Sequence, residues 1–487
     1  MHPVRFAVFA AALALAACAH ARKPDVALPA AYEALPPTTP AVAASAQPID
    51  RWWASFGDPQ LDGLIDHALT ANPDARSAAA RLREARATAL SGLTVFLPQG
   101  DAAGSAAKTH TKQIAGTVFN FPGFSSSGTS EQDALNLNVS WEVDLFGRIF
   151  AASRVARADI AAARFDYEAA RWALAAQVAD AYFQAKGLAI QLADAKETVR
   201  IEQELYALAE RKAGAGLAPT SDADRVAGDL AQAKAQAEDL AAQLQAERRQ
   251  LLILAGRPIE PTASVELPPA VGVLPLVPAS LPSQLLARRP DVREAHERMA
   301  AAAGQLTLAD LAFFPTLNFT PGIGWQKIVQ PGFTATTESW TVGVRGSQPV
   351  FSIPKLMADL RAQDARTEEA VIAYEKAVQT AFGEAEGALV RLDADRRRVR
   401  LLTDGEVRAR RAYEASRLGY ERGLSDLQTA LSAEQAWRNV RTQLTGAEVA
   451  GLRQAVAAFK AIGGGWPAGT ESARDSGQER TSKVTPR

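Results

Sequence analysis

The stretch Arg171–Tyr206 reads RWALAAQVADAYFQAKGLAIQLADAKETVRIEQELY and lies inside a longer run, Arg148 to Ala213, with no proline and one glycine, Gly187. Apolar residues recur at alternating spacings of four and three, which is typical of a coiled-coil seam. The seam positions are Leu174, Val178, Ala181, Ala185, Leu188, Leu192, Ala195, Val199, Glu202 and Tyr206. Glu202 alone interrupts the apolar pattern. The run predicts a single helix about 100 Å long at 1.5 Å per residue.

The same unit occurs twice in the chain. Adding 207 to the seam positions gives a second seam that ends at Tyr413, with acidic interruptions at Asp395 and Glu406. Other matched segments are Asn72-Pro73-Asp74 with Arg289-Pro290-Asp291, Phe96-Leu97-Pro98 with Phe313-Phe314-Pro315, and Gly216-Leu217 with Gly423-Leu424. Repeats of this kind indicate an internal duplication.

The duplication sets the predicted organisation of the chain. The first repeat spans residues 51–256, a Pro-rich linker spans 257–282, the second repeat spans 283–462, and a tail covers 463–487. Within the first repeat a shorter seam, Val226 to Leu254, follows the long helix. The two predicted shorter helices, 220–255 and 283–311, are together nearly as long as the long helix. We expect them to stack end to end and to lie alongside one long helix.

Segments in which apolar and polar residues alternate lie between the helices. In the first repeat Leu135, Leu137, Val139, Trp141, Val143 and Leu145 alternate with polar residues, and 317–325 and 340–345 alternate similarly in the second. A weaker strand is predicted near Gln99–His110, and external loops at Thr111–Ser130 and Lys327–Thr337. This pattern is the weak signature of outer-membrane strands, although a half-buried soluble sheet explains any one strand equally well.

Four strands cannot close a barrel, and an open edge in lipid leaves backbone groups without hydrogen bonds. The chain is therefore expected to contribute part of a shared barrel. The residues alone do not separate a dimer from a trimer.

The N-terminus predicts export and lipid anchoring. Arg5 precedes an uncharged apolar stretch, Phe6–Ala17, so residues 1–17 read as a signal peptide. Leu15-Ala16-Ala17-Cys18 resembles a bacterial lipobox, which makes Cys18 the predicted acylation site; an incidental cysteine is the alternative. Ala19 is not the aspartate of the usual inner-membrane retention signal. Residues 18–50 are then a lipidated tether to the outer membrane.

Composition excludes several other classes of function. The chain has 487 residues with 53 basic and 54 acidic side chains, so it lacks the basic footprint of a nucleic-acid binder. Its single cysteine excludes a disulfide framework, and its five histidines form no metal-ligand set. No nucleophile elbow or phosphate loop is visible, so no enzyme, metal or cofactor is expected apart from the covalent lipid on Cys18.

Several motifs in one order resemble the outer-membrane efflux factors, the TolC/OprM-like proteins, in their lipidated NodT-type branch. They are Trp52-Trp53, Phe56-Gly57-Asp58-Pro59, Ser140 to Arg148, Arg288 to Val292, and Gly463 to Trp466. The resemblance implies a mainly α fold with membrane β: a homotrimer whose duplicated chains give four strands each to a twelve-stranded outer-membrane β-barrel. Their coiled-coil helices would form a periplasmic α-barrel.

The resemblance also implies a function, a passive exit duct of a tripartite efflux pump that exports small toxic compounds. Its partners would be a periplasmic adaptor and an inner-membrane pump of the RND class. A conduit of a type I protein secretion system and a periplasmic adaptor lipoprotein are the alternatives. The sequence identifies neither the substrate nor the particular pump and adaptor.

The turns Ala213–Thr220 and Gly419–Ser425 are expected to form the periplasmic tip. Relatives close this tip with aspartates, and Thr429 and Ser432 stand at the matching positions here, so the resemblance leaves the gating of this end open. Asp222, Arg422 and Asp426 lie near the turns and are candidates for an interprotomer latch. Solvated turn charges are the alternative interpretation.

Overall fold

The computed structural model describes residues 24–33, 49–112, 114, 128–277, 282–330 and 332–464. The predicted signal peptide, the acylation site Cys18 and much of the tether lie outside these described residues. The same is true of most of the first predicted loop and of the tail from residue 465.

Helices account for most of the described chain. The α-helices are α1 (Pro59–Ala71), α2 (Pro73–Thr94), α3 (Arg148–Gly214), α4 (Thr220–Leu254), α5 (Leu285–Arg288), α6 (Pro290–Leu311), α7 (Ile353–Glu421) and α8 (Leu427–Ala461). Short 3-10 helices span Ile49–Phe56, Thr262–Ser264 and Pro282–Gln284. The long helix predicted from Arg148 to Ala213 is confirmed, and α7 is its counterpart in the second repeat.

The strands form one antiparallel sheet. They are β1 (Gln99–Thr111), β2 (Gly128–Val143), β3 (Thr316–Gln330) and β4 (Phe333–Ser347), in the order β1-β2-β3-β4. The succession of helix, two strands, long helix and shorter helix occurs twice, which confirms the internal duplication. In the part of the chain that the structure describes, β1 and β4 each have a hydrogen-bonded neighbour on one side only.

Two sequence-based boundaries were wrong. Strand β2 ends at Val143, so Leu145 lies outside it. The side chain of Asp144 instead accepts hydrogen bonds from the amides of Gly147 and Arg148, both at 2.8 Å, and thereby caps the start of α3. The second predicted loop is also mostly strand, because the β3–β4 ladder continues to the pair Gln330 and Phe333.

The described residues fall into two compact units, and each draws segments from both repeats. Unit 1 holds the described residues of Arg83–Ala163 and Ala295–Tyr374. Unit 2 holds the described residues of Asp25–Leu82 and Arg164–Glu294 and those from Glu375 onward.

The sheet of unit 1 has one apolar face. Antiparallel partners point to the same side, and Leu137, Ile323 and Trp340 occupy matched positions on three successive strands. Trp340 is 77% exposed and Val342 59% exposed, so this apolar face is uncovered in the single chain. Asn136, Gly324 and Ser339 are matched on the opposite, polar face. Within the described ranges, no helix is both long enough and apolar enough to cross a bilayer.

In unit 2 the helix ends of the two repeats are packed in equivalent ways. Asn72 Nδ2 donates a hydrogen bond of 2.8 Å to the carbonyl oxygen of Leu254, the last residue of α4. At the equivalent place in the second repeat, Arg289 Nη1 donates to the carbonyl oxygen of Ala461, the last residue of α8, at 3.2 Å. Two different side chains therefore satisfy the same terminal carbonyl in the two repeats.

Candidate functional site

The two helical turns predicted to form a tip have the same backbone geometry. Gly216 and Gly423 have φ angles of 70° and 72°, a conformation that strongly favours glycine. The amide of Leu217 donates to the carbonyl oxygen of Lys212 at 2.9 Å, and the amide of Leu424 donates to that of Gly419 at 2.8 Å. These bonds close a Schellman-type turn at the end of each long helix.

Each turn presents one exposed leucine. Leu217 is 78% exposed and Leu424 80% exposed, at equivalent positions in the two repeats. A single exposed leucine needs no explanation, but its repetition directly after the positive-φ glycine of both turns makes a matched apolar surface.

Lys212 joins the first turn to the second. Its ammonium lies 3.9 Å from the centroid of the Tyr420 ring and donates a hydrogen bond to the Tyr420 carbonyl oxygen. Burial, assisted by the negative charge of Asp222, raises the pKa of the Tyr420 hydroxyl. The turns are thus held together by contacts within one chain.

The structure assigns Asp426 a clear local role. It is the N-cap of α8, and its carboxylate accepts a hydrogen bond of 2.8 Å from the backbone amide of Thr429. Hydrogen bonding to Thr429 lowers the pKa of Asp426, so the carboxylate keeps its charge to a lower pH. This cap brings together two of the predicted gate residues.

The remaining predicted gate residues are not brought together within the chain. The Arg422 side chain is exposed and, among the described residues, has no hydrogen bond or ion pair. Asp222 is half-buried in the first turn of α4. Ser432 is exposed, and its hydroxyl oxygen accepts a hydrogen bond of 3.3 Å from Gln428 Nε2. The latch between protomers stays a prediction.

A buried pair of glutamates lies near Ser432, and one of them, Glu434, follows Ser432 by two residues. Glu202 on α3 and Glu434 on α8 are both fully buried. The guanidinium of Arg438 lies 3.5 Å from Glu202 Oε1 and 3.7 Å from Glu434 Oε1. Burial raises the pKa of both carboxyls, and the neighbouring charge of Glu202 helps to raise that of Glu434 to about 7.

Sequence reasoning noted Glu202 as the interruption of a seam but missed Glu434. The available signal was of the same kind, because Leu427, Leu431 and Glu434 follow the four-and-three spacing of a seam. Arg438, which lies beside both carboxylates, also lines a polar cavity of about 480 Å³ together with Asp194, Asp229 and Ser432. In the part of the chain described, no three acidic, histidine or cysteine side chains are grouped as a metal site would require.

A sheet with an uncovered apolar face and two repeated helical hairpins defines an outer-membrane channel protein. Residues 64–257 and 281–464 match the model of the outer membrane efflux protein family, and the chain belongs to that family. Its role is therefore that of an outer-membrane component of an efflux system, as the resemblance implied. The two hairpins and two strand pairs do not support the adaptor alternative.

Named relatives cover nearly the whole chain. It is 31% identical over 467 residues to the pyoverdine export outer membrane protein OpmQ of Pseudomonas putida, covering 94% of this chain and 96% of that protein. It is 28% identical to the cation efflux system protein CusC of Escherichia coli, covering 96% and 100%. Among solved structures, the outer-membrane channel OprN has a TM-score of 0.75 at 28% identity and covers 92% of this chain and 100% of that one.

Proposed function

We propose that three copies of this chain assemble into one passive exit duct of a tripartite efflux pump. The observation that carries the assembly is the four-stranded sheet, which has an uncovered apolar face and two edges without partners among the described residues. Joining such sheets edge to edge satisfies the open hydrogen-bonding groups and turns the apolar faces to lipid. Three sheets of four strands supply a twelve-stranded barrel.

The duct does no chemistry of its own. The polar face of the sheet, with residues such as Asn136, Ser339 and Thr341, would line a water-filled interior. Energy would come from an inner-membrane partner, for which a proton-driven RND pump is the candidate. In keeping with this, the family is one of efflux channels and not of enzymes.

A periplasmic adaptor protein would dock at the helical turns. The exposed Leu217 and Leu424 offer apolar contacts at equivalent positions, and three chains would present six such leucines in a ring. Apolar side chains at the centre of a small interface contribute most to its affinity when a polar rim excludes water. Here the exposed Arg422 and Asp426 supply polar groups next to Leu424.

The exported compounds are expected to be small molecules. The relatives are named for pyoverdine and for cations, so family membership is compatible with chemically different substrates. A methionine-based metal path is not favoured, because the chain contains only three methionines.

We further propose that the protein resides in the outer membrane, anchored through acylated Cys18, with its helical turns in the periplasm. The support is the signal peptide and lipobox in the sequence, together with membership of an outer-membrane family. Multiple acyl chains on one cysteine anchor a protein stably.

The decisive experiment is to extract the full-length protein from outer membranes, determine its mass in detergent, and measure ion conductance in planar bilayers. We expect a trimer that forms discrete channels. A monomer without channels would overturn the proposal. A deletion strain that retains dyes and antibiotics but still secretes proteins would support efflux over the type I secretion alternative, and the reverse phenotype would refute it.

A further inference from the structure

Two carboxylates from different helices share one guanidinium in the core of unit 2. Glu202 and Glu434 each expose none of their surface, whereas the Arg438 side chain is 33% exposed. All four carboxylate oxygens are buried without a hydrogen-bond partner in the described part of the chain. Ile201, Leu431 and Trp437, which are close to the two glutamates in the sequence, belong to a cluster of buried apolar side chains.

The surrounding charges do not balance the pair. Arg438 offers one positive charge to two carboxylates, and Asp229 on α4 adds further negative potential at both. The Tyr413 hydroxyl on α7 is buried, neutral and also without a partner. Other charged or titratable groups on the packed helices are Glu204 on α3, Arg225 on α4, Glu406 and Arg417 on α7, and Arg441 on α8. Glu406 is engaged by the Trp437 indole N–H at 2.8 Å, and Arg417 pairs with Glu204.

Burying a carboxylate that lacks both a hydrogen bond and a full counter-charge destabilises the fold. Protonation removes this free-energy cost without any rearrangement of the structure. Two interacting carboxyls then titrate as a pair that shares one proton. With one proton bound, the pair and Arg438 carry no net charge. Without it, the core of unit 2 holds one uncompensated negative charge.

We propose that Glu202 and Glu434 form a proton-binding site that fastens the first turns of α8 to α3 while it holds one proton and loosens them when that proton leaves. Glu434 lies near the start of α8, on the helical turn that follows Thr429 and Ser432, and α8 begins just after the second helical turn, Gly419–Ser425. Loss of the proton therefore acts on the helix that leads out of the second turn, which is expected at the periplasmic end. The link to gating rests on the duct function proposed above; the proton site itself does not.

The direction of the effect follows from the raised pKa. Burial, and next the charge of Glu202, raises the pKa of Glu434 from 4.5 to about 7. For an acid whose pKa is raised by the folded packing, that packing is most stable below the ordinary value and weakens as pH rises through the folded value. The contact between α3 and α8 is therefore strongest in mild acid and weakest above neutral pH.

The test uses the full-length protein and one isosteric variant, Glu434→Gln, which mimics the protonated carboxyl. In infrared titration the wild type should show the C=O band of a protonated carboxyl that disappears near neutral pH, whereas in Glu434→Gln the band of the remaining Glu202 should disappear at a lower pH. Glu202→Gln should move the midpoint of the remaining carboxyl down by about one pH unit, because the like charge is gone. Glu204→Gln, an exposed neighbour on the same helix, is the matched control and should leave the titration unchanged.

In bilayers the wild-type conductance should rise several-fold between about pH 5 and about pH 8. Glu434→Gln should remain in the low-conductance state throughout, and Glu204→Gln should behave as wild type. A wild-type protein without the protonated-carboxyl band, or a Glu434→Gln channel with an unchanged pH profile, overturns the inference. Absence of channels at every pH, with the infrared band present, refutes the duct function and leaves the proton site standing.

Discussion

Arg289 Nη2 lies 2.7 Å from Oε2 of Glu384, and the same nitrogen lies 2.6 Å from Oδ2 of Asp291. The Arg289 side chain is only 3% exposed. Burial alone favours its neutral form, but hydrogen bonds and charges from Asp291 and Glu384 outweigh burial and raise the pKa of Arg289. One buried guanidinium thus joins the start of α6, the middle of α7 and the terminal carbonyl of α8.

Replacing Arg289 by methionine should destabilise unit 2 by about 2–3 kcal/mol. The loss stays below the 3–5 kcal/mol typical of a broken buried ion pair, since the carboxylates left behind reach solvent. The buried Ala461 carbonyl also loses a donor. Thermal unfolding followed by circular dichroism in detergent measures the effect. Arg391→Met, an exposed site on α7, is the control, and equal melting temperatures for the two variants would contradict the role assigned to Arg289.

The positive-φ glycines differ in what surrounds them, and this predicts two different costs. A Cβ added at Gly423 has no neighbouring atom within 4 Å. Gly423→Ala should therefore cost only about 1–2 kcal/mol, which is the strain of placing alanine in a left-handed conformation. Gly256 has the same left-handed conformation, and in addition a Cβ there would lie 2.9 Å from the main-chain carbonyl carbon of Ala71. Backbone cannot move aside like a flexible side chain, so Gly256→Ala should lower the melting temperature clearly more than Gly423→Ala. The opposite ranking would show that the contact is not tight.

Sequence patterns gave the long elements correctly because their determinants are local. A proline-free seam defines α3 to within one residue, and alternation identifies β2 and β3. The extent of β4 was missed, since backbone pairing such as Lys327 with Thr336 needs no alternation of side chains. Glu434 was missed for another reason. Its burial arises only when α8 packs on α3, which are far apart in the sequence.

The two faces of β4 should respond oppositely to charge. Val342→Arg places a cation on the exposed apolar face and should cost up to about 2–4 kcal/mol if that face contacts lipid, less near its borders. Thr341→Arg, one residue away on the polar face, should be tolerated because it would face water. The amount of assembled protein in outer-membrane fractions reports both. Equal yields would argue against lipid on the apolar face.

The proposed latch can be separated from the helix cap at the same residue. Asp426→Asn keeps an N-cap acceptor for the Thr429 amide but removes the charge, whereas Asp426→Ala loses the cap at a cost of about 1 kcal/mol. If Asp426 and Arg422 pair between protomers, Asp426→Asn combined with Arg422→Ala should raise single-channel conductance and antibiotic leakage without lowering stability. Conductance that rises only with Asp426→Ala would assign the effect to the cap, and no rise in either variant would contradict the latch.

Lipid attachment at Cys18 can be tested without ambiguity, because the chain contains no other cysteine. Cys18→Ser should abolish incorporation of labelled palmitate, and it should leave a larger precursor, since a lipoprotein signal peptidase acts on the acylated cysteine. Ser45→Ala, a neutral change in the tether, is the control and should label and mature as wild type. The uncovered apolar sheet provides a second, independent membrane contact, so the unlabelled protein should still appear in the outer membrane once exported. Palmitate that persists in Cys18→Ser would place the lipid on another residue and remove the basis for the lipobox.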